Sequence, residues 1–188
     1  NSMTVRISKP EFNLREKLTE LDYSRVPYEK MPAGSVVQVA FNSLYGSAVG
    51  TTSQTFQDSG LFVDISPRFV TSKIIVSASV DANTGNGTGK GVEYTFFRNI
   101  GADATNSSPS VNLLESAQNK NYISYASPDG YIHERAAMLA EDNPNTIERV
   151  QYRVFFHSHG GASAGFNKDW GGIMIKAEEI RQWDLNLI

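Results

Sequence analysis

From Pro32 onward, apolar residues recur at every second position in short segments, and this alternation is the strongest constraint on the fold. Val37, Val39 and Phe41 form one such series, and residues 72–80 are apolar on both faces, as in a central strand. Turn-forming Gly, Pro, Asn and Asp separate about nine segments of this kind, and no helical pattern lies between them. The pattern excludes a βαβ fold and predicts an all-β, antiparallel β-sandwich or jelly roll.

Two segments admit a second interpretation. Residues 131–139 contain a run from Ala136 with good helix propensity, so a helix remains an alternative to a strand there. The Gly- and Asn-rich stretch that opens at Asp81 has oxygen-bearing side chains at positions 1 and 3 of a calcium loop. It has Asn86 where that loop needs Gly and Val92 where it needs Glu, so we predict a hairpin loop.

The residues before Pro32 form a separate region. Residues 9–21 are the one convincing helical segment, with Leu14, Leu18 and Leu21 spaced to share one face. A helix of about three turns is marginal alone in water, so it must dock, either on its own domain or on neighbouring copies. Oligomerisation through these three leucines is therefore one of two open predictions.

We divide the chain into three parts. Residues 1–31 make an N-terminal helical arm and linker, residues 32–180 make one β-sandwich head, and residues 181–188 make an apolar C-terminal tail. The tail includes Trp183 and is expected to pack on the N-terminal segment or on a neighbouring subunit.

Composition excludes several classes of protein. The chain has no Cys, which rules out disulfides, thiolate nucleophiles and Cys-based metal sites. Its 17 Lys and Arg are scattered and outweighed by 20 Asp and Glu, for a net charge of −3, so no basic field for nucleic acid exists. Apolar runs are only a few residues long, far below the roughly 20 needed to span a bilayer.

Several segments of the head together resemble one group of proteins. They are MPAGSVVQV at residues 31–39, FQDSGLFVDISP at 56–67, SKIIV at 72–76, FFRN at 96–99, YRV at 152–154, and the closing strand at 173–180. In this arrangement the chain resembles phage virion proteins of the tail-fibre and minor-tail type, over roughly residues 31–180. Two features depart from that pattern: the richness of residues 147–156 in large aromatics, and the tail beyond residue 180.

The resemblance implies a C1q/TNF-like jelly-roll head that forms homotrimers, located in the virion as part of a tail or surface appendage. It further implies attachment to a glycan or protein of the host surface, with the arm contacting other virion proteins. Two rival functions stay open: a glycan-depolymerising tail-spike domain, and a structural connector or decoration protein.

His157 and His159 are the most chemically distinctive pair in the chain. If the strand continues through them, both imidazoles point to one face, because side chains alternate. Two His cannot complete a metal shell, but three copies meeting on an axis would bring six, which suits a transition metal. The alternative is that both residues face water in a turn beside Gly160.

Aromatic residues near polar turns are candidate receptor contacts, because rings stack on sugars while amides and carboxylates bind hydroxyl groups. The candidates are Tyr122, Tyr125, Tyr131, Phe166 and Trp170. Aromatics in a β-sandwich are also common in the core, and this alternative applies to each of them.

No sequence motif indicates catalysis. Ser163 lies between small residues but lacks the strand-to-helix context of a nucleophile elbow. The adjacent acids Glu141 with Asp142, and Glu178 with Glu179, should point to opposite faces of their strands, so neither pair can act together. We therefore expect a protein that is not an enzyme.

Overall fold

The structure, a computed structural model, describes residues 27–46, 48–85, 87, 89–115, 122–125, 132–166 and 172–182. Residues 122–125 and 132 are described by their backbone only. The chain divides into two units, residues 1–32 and 33–188. In the first unit the described part is a single 3-10 turn, Tyr28–Lys30. The predicted arm helix, with Leu14, Leu18 and Leu21, lies outside the described residues.

The second unit is built from eleven described β-strands. They are β1 Val36–Leu44, β2 Val49–Thr51, β3 Gln57–Ile65, β4 Lys73–Thr84, β5 Gly91–Ile100, β6 Val111–Asn112, β7 Tyr122–Tyr125, β8 Ile132–Asp142, β9 Val150–His159, β10 Ala164–Phe166 and β11 Ile173–Ile180.

These strands form two antiparallel sheets that pack as a sandwich, which confirms the predicted fold class. Sheet A has the order β1-β11-β4-β10-β2, with β8 paired along the other edge of β4. Sheet B has the order β3-β9-β5-β6, with β7 also paired to β5.

The structure decides between strand and helix for residues 131–139 and corrects the hairpin predicted from Asp81. The segment with the helical alternative is a strand, because β8 pairs with β4 from Ile132 to Asp142 and, from Met138 onward, buries every second side chain. The hairpin predicted from Asp81 onward is wrong, because β4 continues to Thr84 in sheet A while the next strand, β5, belongs to sheet B, so the connection crosses between the sheets.

The core lies between the sheets and is formed by the inward half of each alternating series. In β4 every second residue from Ile74 to Thr84 is buried, while the residues between them are partly exposed. The largest fully buried side chains are aromatic and aliphatic, and Tyr152, Phe96, Phe156 and Phe166 lead them. At about 25 cal/mol per Å² of apolar surface, such burial is the main stabilising term.

One end of the sandwich holds a fully buried carboxylate, that of Glu179 on β11. Its Oε1 accepts hydrogen bonds from the backbone N–H of Arg68 (2.7 Å) and Phe69 (3.3 Å) and from the Ser72 hydroxyl (2.5 Å). Its Oε2 accepts one from Nε2 of Gln38 on β1 (2.6 Å). The carboxylate thus fastens the connection between β3 and β4 to sheet A.

A second buried polar group joins the two sheets at the same end. The Tyr152 hydroxyl of sheet B donates to Oδ2 of Asp142 on β8 at 2.8 Å, and Nη1 of Arg98 lies 3.3 Å from both carboxylate oxygens. Burial, together with the neighbouring negative charge of Asp142, raises the pKa of Tyr152 well above its ordinary value.

Replacing Glu179 by Ala should destabilise the protein by roughly 3 kcal/mol or more, because several buried donors lose their acceptor at once. Glu179→Gln should cost less, about 1–2 kcal/mol, because its carbonyl oxygen still accepts while its amide faces the donor of Gln38. Urea unfolding followed by circular dichroism measures both losses.

The matched control is Glu178→Gln, which changes the adjacent, outward-facing acid of the same strand. Glu178 is ion-paired with Lys176 on the partly exposed surface, so its loss should stay within about 0.5 kcal/mol. Equal effects of Glu179→Ala and Glu178→Gln would show that the buried carboxylate has no special role.

Tyr152 should make the protein less stable in alkaline solution. Above pH about 10 a tyrosine ionises in the unfolded chain, whereas folded Tyr152 keeps its proton, so the free energy of unfolding falls by up to about 1.4 kcal/mol per pH unit. Tyr152→Phe should cost about 1–2 kcal/mol at pH 7 and remove this part of the pH dependence. Urea unfolding between pH 7 and 11.5 checks both effects, with exposed Tyr45→Phe as the control that should keep the wild-type slope.

Candidate functional site

The two ends of the sandwich differ in the polar groups that they contain. At one end, here called the terminal end, β1 begins at Val36, opposite Ile180, where β11 ends. At the other, here called the loop end, β4 ends at Thr84 opposite the start of β8, and β5 begins opposite His159, the last residue of β9. Both buried carboxylates therefore belong to the terminal end, where Asp142 pairs with Ile74 and Glu179 lies beside Ser72.

At the loop end, His157 and His159 converge on one acid. Strand β9 places both imidazoles on its outward face, as predicted, and Glu93 of β5 lies directly opposite His157. Oε2 of Glu93 is 3.3 Å from Nε2 of His157 and 3.6 Å from Nδ1 of His159. We call these three residues the Glu93 cluster.

The Glu93 cluster is partly enclosed by its own chain. Nδ1 of His157 lies 2.9 Å from the carbonyl oxygen of Ser158, and the ring meets that of Phe56 edge-on at 4.6 Å. The side chains of Glu93 and His157 are mostly buried, and that of His159 is about one-third exposed. The predicted turn that would leave both His in water is therefore wrong for His157.

The Glu93 cluster is not spaced as a metal site within one chain. Over the part of the chain that the structure describes, no three His, Asp or Glu side chains are arranged to hold a metal ion. A transition metal bound by His157 and His159 would need further copies, so the predicted site on a threefold axis stays a prediction.

Phe166 is not a receptor contact. Its ring is fully buried on β10, where it packs 4.9 Å from the ring of Phe156 and 5.9 Å from that of Tyr94. The prediction that it binds a ligand is wrong, and its alternative as a core residue is correct. The receptor prediction failed because β10 is only three residues long and polar turns flank it on both sides, so the segment resembled part of a loop.

The other predicted receptor contacts are less fully described. Tyr122 and Tyr125 are the first and last residues of β7, which pairs with β5 and reaches Gly91 at the loop end. Their side chains, and all of Tyr131 and Trp170, lie outside the described residues.

On the rest of the outward face of sheet B, arginine side chains form ion pairs with aspartates of the same chain. Arg149 contacts Asp64 at 2.8 Å and Asp103 at 2.5 Å, and Arg153 contacts Asp58 at 2.5 Å. The Arg149 guanidinium holds the pKa of exposed Asp103 below its usual range. Arg153 also lies over the ring of Phe62, 4.8 Å from its centre.

Adjacent acids point to opposite faces, as the sequence predicts. Asp142 is buried against Tyr152, whereas Glu141 faces outward and pairs with Lys73 at 2.6 Å. Glu179 and Glu178 divide in the same way. Neither pair can hold one substrate between two carboxylates.

Sequence reasoning missed Glu93. A single acid in the strand Gly91–Ile100 gives no signal, because its position opposite His157 depends on the register between β5 and β9. The only local hint is that Glu93 lies between Val92 and Tyr94, both of which are buried, as expected for an outward position in an alternating strand.

Comparison with known proteins identifies no family for this chain. No protein-family model matches the chain, and no curated protein is similar to it. Among the described residues, no helix has the length and apolar character that crossing a membrane requires.

Replacing Gly165 by Ala should loosen the loop end. A Cβ at Gly165 would lie 2.2 Å from the carbonyl oxygen of Val49 on β2, so β2 and β10 would have to separate. We expect a loss of about 1–3 kcal/mol in thermal or urea unfolding, with faster amide exchange in residues 49–51.

Gly50→Ala is the matched control, because Gly50 faces Gly165 in the same strand pair. Its Cβ would meet the carbonyl oxygen of Ala164 at 3.4 Å, close to an ordinary contact, so a much smaller change is expected. If the two substitutions were equally harmful, the close approach at Gly165 would not be the cause.

Proposed function

We propose that this chain is the head of a phage tail-fibre-like virion protein that attaches the particle to the host surface as a homotrimer. The observation that carries the proposal is the polarity of the sandwich. The first strand of the head begins and the last strand ends at the terminal end, where Val36 pairs with Ile180, whereas β4 and β9 end at the loop end. A partner bound at the terminal end and a receptor bound at the loop end would thereby be separated.

The strand order supports the jelly-roll part of the proposal. Sheet A combines strands from both halves of the sequence, β1 and β4 with β8 and β11, and sheet B combines β3 and β5 with β9. Eight-stranded jelly rolls mix the two halves of their sequence in this way through Greek-key connections. The resemblance of residues 31–180 to tail-fibre proteins points in the same direction.

The separation between the two ends is large. Strand β4 has 12 residues and runs the length of sheet A, which at about 3.3 Å per residue gives roughly 40 Å. Contacts of the terminal end with other virion proteins would therefore not compete with contacts at the loop end.

Attachment would work through several weak contacts. One head offers aromatic and polar loop residues to a glycan or protein, and three linked heads convert the second and third contacts into intramolecular events. The candidates that remain are Tyr122, Tyr125, Tyr131 and Trp170. Strand β7 ends and β8 begins at the loop end, so the connection that contains Tyr131 joins the sandwich there.

Adsorption to bacteria tests this function. The fluorescently labelled full chain should bind cells of a host strain, and Tyr131→Ala or Trp170→Ala should weaken binding at least tenfold, because stacking on a receptor is lost. Tyr28→Ala is the matched control, since Tyr28 is exposed in the linker and should leave binding unchanged.

The same preparation separates the rival functions. Release of reducing ends from capsular or lipopolysaccharide glycans would show that the protein depolymerises glycans. The attachment function would then be rejected in favour of the tail-spike function. Failure to adsorb to any strain of a broad bacterial panel, with the fold intact, would favour the connector or decoration protein.

A further inference from the structure

The connection between β5 and β6, residues 101–110, lies on the outward face of sheet B and is here called the strap. We propose that the strap opens by itself while the sandwich stays folded, and that ion pairs of Asp103 hold it closed. Opening would expose an apolar surface that the closed protein covers. This movement is independent of any attachment to a host.

The strap covers an apolar cluster that is separate from the main core. The cluster consists of Phe97 of β5, Phe155 of β9 and Ala104 of the strap, and Phe56 packs against it. The rings of Phe97 and Phe155 meet edge-on at 5.0 Å, and those of Phe56 and Phe97 at 5.6 Å. The structure describes the whole strap, and none of its residues belongs to the core between the sheets. Opening would therefore uncover this cluster and leave that core intact.

Little of the strap itself is buried. Of residues 101–110, Ala104 alone is buried, and most of the others are exposed. An alanine side chain brings little apolar surface out of water, so burial stabilises the closed strap far less than it stabilises a core strand. Segments with few buried apolar contacts open locally at a small free energy.

Asp103 makes the charged contacts of the strap. Its Oδ1 accepts hydrogen bonds from Nη2 of Arg149 at 2.5 Å and from Nε2 of Gln151 at 3.2 Å. Its Oδ2 lies 3.8 Å from Nη2 of Arg153. All three partners belong to β9, so these contacts join the strap to a central strand of sheet B. We call Asp103 with Arg149 and Arg153 the latch.

The latch is too exposed to hold the strap permanently. The side chain of Asp103 is 64% exposed and that of Arg149 39%. Ion pairs at such exposure contribute little to stability, and dissolved salt screens them. The latch therefore favours the closed strap without preventing it from opening.

Neighbouring carboxylates lower the cost of opening. Asp64 of β3 accepts a hydrogen bond from Nε of Arg149 at 2.8 Å, and Asp58 of the same strand pairs with Nη1 of Arg153 at 2.5 Å. Both arginines therefore keep a partner when Asp103 moves away. No guanidinium is left without an opposite charge.

The amide of Gln151 is enclosed beneath the strap. Its Oε1 accepts a hydrogen bond from the backbone N–H of Ala104 at 2.9 Å, and its side chain is almost completely buried. When the strap opens, water reaches this amide and replaces the lost contact. Polar groups that become hydrated do not carry the penalty of buried groups without partners.

Neutral hydrogen bonds add to the latch. Nδ2 of Asn99 donates to the carbonyl oxygen of Asp103 at 3.0 Å, and Nδ2 of Asn106 donates to that of Phe56 at 2.7 Å. Each such bond contributes modestly, because its groups bond to water in the open state. The charge of Asp103 is therefore the contact that salt can weaken selectively.

A thiol at position 104 measures the opening. The chain has no Cys, so Ala104→Cys introduces a single thiol, which a chromogenic disulfide reagent reaches when the strap is open. This thiol should react at least tenfold faster than that of Ala82→Cys, which lies in the core between the sheets. It should react at least tenfold more slowly than that of Val70→Cys, at an exposed position.

Removing the carboxylate tests the latch. In the Ala104→Cys background, Asp103→Ala should speed labelling at least tenfold, because the strap loses its ion pairs. Asp64→Ala is the matched control: it removes one acid from the same Arg149 but leaves every contact of the strap in place. Labelling should then change less than twofold.

Salt distinguishes a charged latch from general loosening. Raising NaCl to about 1 M shortens the screening length to about 3 Å and should speed labelling at position 104 several-fold, relative to Val70→Cys. With Asp103→Ala present, the same change of salt should have little effect.

Amide exchange of the unmodified chain provides a second measurement, because a thiol is larger than the methyl group of Ala104 and can itself lift the strap. The buried Ala104 amide should exchange faster than the amides at the centre of β9, and Asp103→Ala should speed its exchange alone. Urea unfolding should show that every variant stays folded.

Three outcomes would overturn the proposal. Equal labelling at positions 104 and 82 would show that the strap opens only when the whole domain unfolds. Labelling at position 104 as fast as at position 70 would show that the strap covers nothing. Labelling and exchange that neither Asp103→Ala nor salt alters would show that the latch does not hold the strap closed.

Discussion

The buried carboxylate of Glu179 is the constraint on which much of the head depends. A charge taken out of water is costly unless donors surround it, and here two backbone amides, one hydroxyl and one side-chain amide do so. Those donors belong to β1 and to the connection between β3 and β4, which passes from one sheet to the other. The pairing of β1 with β11, and the position at which the chain changes sheets, are fixed by the same group.

Much of the fold could be predicted from the sequence, because alternation is a local property. It identified the longer strands, the outward and inward acids of β8 and β11, and the shared face of His157 and His159, but it missed the three-residue strands β2 and β10. The assignment of β8 as a strand was less certain. The helical alternative for β8 came from its alanines, and the pairing of that strand with β4 overrode this propensity.

The candidate site could be predicted only in part, because it depends on pairings between distant segments. Glu93 and His157, 64 positions apart in the sequence, meet through the register of β5 and β9, which no local pattern reports. The predicted receptor contact at Phe166 was wrong for a related reason. Its burial follows from β10 lying between β2 and β4, and its polar neighbours in sequence gave the opposite signal.

The position of the polar networks has a consequence for how such a head can diversify. Glu179 and the Asp142–Tyr152 pair both stabilise the terminal end, about 40 Å from the loop end if the full length of β4 is counted. Loops at the far end can change in length and composition without disturbing either network. Variants of the chain can therefore carry new loops on an unchanged frame, and Gly160 and Gly165 are described positions near those loops where an added Cβ would collide with the backbone.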